Sequence, residues 1–134
     1  MVEAAVPTEL LYPGFIDHAE AIRRLLEVCA DIFINIAQRW LILTPRYYGG
    51  YAVRHTLGLW APGMAVLFQA DAMRNLSAQM YRDFLLDIDQ RIAAQFEYPI
   101  IHTHSCSAHI LPVLAAAPQP RAQVRPPRVR CRLS

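Results

Sequence analysis

Apolar residues first recur at helical spacing as Ile22, Leu25, Leu26, Cys29, Phe33, Ile36, Ala37 and Trp40. One broad apolar face of that period predicts a helix near 17–41. Asp17, with Glu20 three residues later, has the form of a capping box, and Thr44–Pro45 ends the run. A second stripe, Met80, Phe84, Leu85, Ile88, Ile92 and Phe96, predicts a helix over 77–96 with Ser77 as its N-cap. Between the two the period changes. RYYGGYAVRHTLGLWAPG reads as loop and short strand, and MAVLFQAD (64–71) as a short buried strand closing on Asp71. YPIIHTHS then reads as a buried strand, and AHILPVLAAA as a short helix containing Pro112. Helix, strand, helix, strand, helix is an α/β alternation and predicts a parallel sheet. Residues 1–14, with Pro7 and Pro13–Gly14, read as an extended lead-in or turn, 15–117 as the domain, and 118–134 as a tail.

Composition changes this picture at one end. The net charge of +2 is carried entirely by arginine, since the 13 basic residues include no lysine. Arg121, Arg125, Arg128, Arg130 and Arg132 lie in the acid-free tail. The rest of the chain is mildly acidic, so body and tail are read separately. The tail lacks an apolar period and reads as a solvated, disordered segment rather than a nucleic-acid contact. Its abrupt turn to Arg and Pro is also what a shifted reading frame would give. ADIFINIAQRWLIL is interrupted by Asp31, Asn35, Gln38 and Arg39, so no membrane span is expected. No signal peptide is apparent, and an odd number of widely spaced cysteines makes no disulfide framework. A reducing cytoplasm is the expected compartment.

The densest chemistry is HTHSCSAH, 102–109, with three of the chain's five histidines and one of its three cysteines. Side chains alternate on a strand, so a strand running through 106 would aim His102, His104 and Cys106 the same way. The C-terminal ends of parallel strands are where α/β folds keep their chemistry. Cys and His are the usual zinc ligands, and a catalytic zinc takes three from the protein. On spacing alone, the same residues also read as packed or hydrogen-bonded side chains at a strand end.

IIHTHSCSAHILPVL, with FQADAMRNLSAQMYRDFLLDIDQRIAAQF before it, resembles the central-to-late part of the uroporphyrinogen decarboxylase superfamily. That superfamily includes cobalamin-dependent methyltransferases. Leu76, Ser77, Tyr81, Phe84, Arg91 and Ile92 stand in register with its helix pattern, and GFIDHAEAIRRLLEVCADIFINIAQ resembles the helix before it. The resemblance covers about residues 12–116. It implies a partial (β/α)8 barrel, a TIM-barrel fragment with parallel strands, and chemistry at their C-terminal face. His104 and Cys106 would be zinc ligands, with a methylated corrinoid protein as donor and a thiol as acceptor. A decarboxylase acting on tetrapyrrole carboxylates, or a truncated non-catalytic remnant, are the alternatives. Ala78, Asp87 and Ser107 depart from the family pattern. The early strands and a distal zinc-binding Cys have no counterpart, and no motif surrounds Cys131.

The remaining candidates follow from that frame. Asp71 fits the family's acidic position and would bind substrate or move a proton, although an acid is also favoured at the start of the next helix. Arg54 and His55 would reach a carboxylate-bearing substrate, although residues in such a loop are more often solvated. Trp60 and Tyr51 would line a pocket or cover the barrel end, and His102 would contact substrate. His18 lies on the first helix, and Cys29 falls on that helix's apolar face and is expected in the core. His109 reads as a cap-region residue or a ligand. Open sheet edges in an incomplete barrel favour self-association.

Overall fold

The computed structural model describes residues 6–54, 58–69 and 74–118, with only the backbone of Arg54 and Gln69. The chain opens with α1 (Thr8–Asp17) and α2 (Ala19–Leu43). A hairpin of β1 (Tyr51–Arg54) and β2 (Leu59–Ala61) follows, then β3 (Ala65–Gln69). Next come α3 (Ala78–Phe84), α4 (Leu86–Ala93) and β4 (Tyr98–His102). A 3₁₀ helix (Ser105–Ile110) leads into α5 (Leu111–Ala116).

The predicted parallel pairing is present. β3 and β4 run side by side from Ala65 opposite Tyr98 to Gln69 opposite His102. A parallel pair needs a crossover, which α3 and α4 supply. The other strands depart from the expectation of an all-parallel sheet. β1 and β2 form an antiparallel hairpin, with Tyr51 opposite Ala61. Among the described residues there are two two-stranded sheets and no closed barrel.

β4 also carries the marks of an edge. Tyr98 N donates to Met64 O at 3.0 Å, so Tyr98 turns its amide toward β3. The next residue turns the other way. That residue is Pro99, which has no N–H to leave unpaired on an open edge.

Residues 8–14 are helical rather than an extended lead-in. Leu11 and Phe15, one turn apart, are buried in the core, and their burial outweighs the amide that Pro13 lacks. Gly14 is not a turn residue. It lies so close to α2 that a Cβ would sit 3.2 Å from Ile22 Cδ1. The expected capping box is also absent: Asp17 is the last residue of α1, and no side chain caps α2 at His18.

Along α2, Ile22, Leu26 and Ala30 are buried, and Cys29 is only half-buried. Ile36 and Trp40, expected on the core face, are 59% and 69% exposed. A helix of 25 residues is about 37 Å long, and its C-terminal half extends along a hairpin too small to cover it. Ser77 caps α3 as predicted, its hydroxyl accepting from Met80 N at 3.1 Å. The helix expected over 77–96 is interrupted at Leu85, where φ is −112°.

Candidate functional site

A cavity of about 770 Å³ runs along the edge of β4 that, among the described residues, no strand pairs. Leu86, Asp89, Gln90 and Ala93 supply one face of α4 to it, and α5 contributes Leu111, Leu114 and Ala115. Tyr98, Pro99, Ile100 and Ile101 form the strand wall, and Trp60 and Ala61 of β2 close one side. A concave, mostly apolar space with a few polar groups is the form that small-molecule sites take.

Its polar anchor is Asp89, 7% exposed. Tyr81, with no exposed surface, donates its hydroxyl to Asp89 Oδ2 at 2.6 Å. Eight residues of unbroken helix rise about 12 Å, too far for the two side chains to meet easily, since Tyr81 would lean toward the N-terminus and away from Asp89. The interruption at Leu85 brings the two side chains together. Burial pushes the Asp89 carboxyl up to about 6, and the Tyr81 hydrogen bond only partly offsets this. The Tyr81 phenol is raised by burial first, then by the neighbouring Asp89 charge and the bond between them. The other Asp89 oxygen, Oδ1, has no hydrogen-bond partner among the described residues and is not sealed from solvent.

The His/Cys run lies at the other end of β4. The strand stops at His102, so the two-residue alternation does not carry through to Cys106. The chain turns at His104, with φ −83° and ψ 157°, and winds into the 3₁₀ helix, where successive side chains point about a third of a turn apart. The expectation that His102, His104 and Cys106 share a strand face is therefore corrected. The two histidines do meet, their rings 5.0 Å apart and edge to face. Cys106 is exposed. His109 is a tie rather than a ligand: its ring N–H donates to Leu76 O at 2.7 Å and fastens the 3₁₀ helix to the residues before α3.

The other predicted residues scatter. Asp71 and His55 lie outside the described residues, as does the Arg54 side chain and the tail from 119 onward. Trp60 does line a cavity, but not one that His102, His104 or Cys106 lines, and its indole N–H donates to Tyr47 O at 2.8 Å. Tyr51 is buried at the foot of the hairpin. Among the described residues no group of three or more His, Cys, Asp and Glu is placed to hold a metal ion.

Sequence reasoning overlooked Asp89 as a site residue. The legible signal is an acid set among Leu85, Ile88 and Ile92, at core spacing on an apolar helix face. Tyr81 as its partner had no such signal, because a separation of eight fits neither one helical turn nor a strand.

In comparisons with known proteins, no family model, curated protein or solved structure matches this chain. Among the described residues no helix is long and apolar enough to cross a membrane.

Proposed function

We propose that the chain is part of an α/β enzyme resembling the uroporphyrinogen decarboxylase superfamily, and that its reaction is methyl transfer from a methylated corrinoid protein to a thiol. The parallel β3–α3–α4–β4 unit with His102, His104 and Cys106 at and beyond the C-terminal end of β4 carries this reading. In such a transfer the carbon–cobalt bond breaks with its electron pair left on cobalt, and a carbon–sulfur bond forms to the thiolate. Bound zinc would hold the acceptor as thiolate, the nucleophilic form. His104 and Cys106 would be two of its ligands, and Asp71 would bind substrate or move a proton. The remaining strands of a (β/α)8 barrel would belong to sequence this chain does not contain.

The tetrapyrrole decarboxylase alternative is disfavoured by one observation: among the described residues no arginine lines the cavity, and multiple carboxylates call for cations. A non-catalytic remnant is favoured by the two-stranded sheets and by apolar residues such as Trp40 and Leu43, 69% and 80% exposed. Such a chain would self-associate.

The test uses the full chain, purified and supplied with zinc, methylcobalamin and a simple alkyl thiol, with thioether formation as the readout. The reading expects turnover that Cys106→Ser and His104→Ala each remove. Zinc retained equally by both variants, with no thioether from the wild type, would sink it.

A further inference from the structure

We propose that the cavity along the open edge of β4 binds a small organic cation with an apolar body, its ammonium group held by Asp89. The proposal goes beyond the methyl-transfer reading and does not depend on it, since none of His102, His104 and Cys106 lines this space.

The charge of the walls sets the sign of the ligand. The ionisable lining residues are Asp89, Glu97 and Tyr98; no Arg, Lys or His is among those described. An anion entering would meet carboxylates in a space of low dielectric, where like charges repel strongly. A neutral guest would cover the apolar walls and leave Asp89 uncompensated. A cation does both tasks. Its body covers Leu86, Ile100 and Leu114, while its N–H donors reach an acid taken out of water.

Asp89 is built to receive such a donor. Tyr81 fixes one carboxylate oxygen at 2.6 Å, and the other has no partner among the described residues. The carboxyl, pushed up to about 6 by burial, is still mostly ionised at pH 7.5. At the cavity's margin Trp60 and Tyr98, 48% and 41% exposed, add aromatic surface that favours cations. The volume of about 770 Å³ is within the range of sites for drug-sized molecules.

Three probes of one shape and different charge test this on the full chain: benzylamine, benzyl alcohol and benzoate, titrated calorimetrically at pH 7.5. Benzylamine is expected to bind about ten-fold or more tightly than the alcohol, and benzoate more weakly than either. Asp89→Asn is expected to bring benzylamine down to the level of the alcohol and leave the alcohol unchanged. Ala93→Phe, which fills the cavity from α4, is expected to weaken all three. Equal affinity for amine and alcohol, a preference for benzoate, or no binding by folded wild-type protein would overturn the proposal. So would a benzylamine preference that survives in Asp89→Asn. Should that variant fail to fold by circular dichroism, the wild-type order and the Ala93→Phe result still decide.

Discussion

The two ends of β4 hold chemistry of opposite kinds. At its C-terminal end, all five consecutive positions from His102 to Cys106 are Thr, Ser or metal-binding types, with His104 and Cys106 exposed. Along its open edge, Asp89 sits inside a helix face, nearly sealed and held by a tyrosine from the preceding helix. The first region is dense in potential ligands but largely open to water. The second is sparse but over-determined, because a buried carboxyl is tolerated only where something satisfies it. Ligand density along a chain is therefore a poor measure of a site. Burial of a group that water would otherwise hold is a better one.

The largest test removes the tyrosine. Tyr81→Ala empties a fully buried volume and strips Asp89 of its donor, and is expected to cost about 3–5 kcal/mol by chemical denaturation. Tyr81→Phe keeps the ring and isolates the hydrogen bond, at about 1–3 kcal/mol. A neutral Tyr81→Phe would break the contrast, since Asp89 would then need no partner.

The pH dependence of stability is next. Asp89 binds its proton more tightly in the folded state, with its carboxyl raised from 3.8 to about 6. Between those values the unfolded chain ionises while the native state resists. The stabilisation this provides is present below about pH 4 and is lost as pH rises through about 6. The loss is about 3 kcal/mol, and Asp89→Asn should remove it. Parallel pH profiles for wild type and variant would undo the case for a strained acid.

Arg91 tests how firmly that helix is seated. Its guanidinium reaches Glu27 at 2.8 Å and Asp31 at 3.3 Å, and donates to Glu27 O at 2.9 Å, tying α4 to α2. The groups are part-exposed, so Arg91→Ala is expected to cost only about 1 kcal/mol. The smallest effects belong to the other end. His104→Ala and Cys106→Ser should each change stability by less than about 0.5 kcal/mol without metal. A larger loss would mean that the His/Cys turn is a structural element after all.

Local chemistry made several elements readable in advance. The α2 stripe, the Ser77 cap, the β3 and β4 runs and their parallel pairing need only period, cap residue and alternation. The misreadings share one cause. Pro13 and Gly14 look like a turn until Phe15 is seen packed edge to face on Phe84, 5.0 Å away and 69 positions later in the chain. HTHSC looks like the continuation of a strand until Ser107 and Ile110 are seen buried at 2% and 0%, which fixes the chain as a 3₁₀ turn there.

What the sequence determined by itself is the set of amphipathic segments and the mildly acidic body with its basic tail, because period and charge are properties of neighbours along the chain. Only the tertiary structure decided that Tyr81 meets Asp89, that Pro99 lies on an edge no described strand pairs, and that His102 and His104 touch while Trp60 lines a cavity neither of them lines. Each depends on a bend at Leu85, a missing neighbour strand or a turn at His104. These are fixed by which surfaces exclude water together, and no residue carries that information alone.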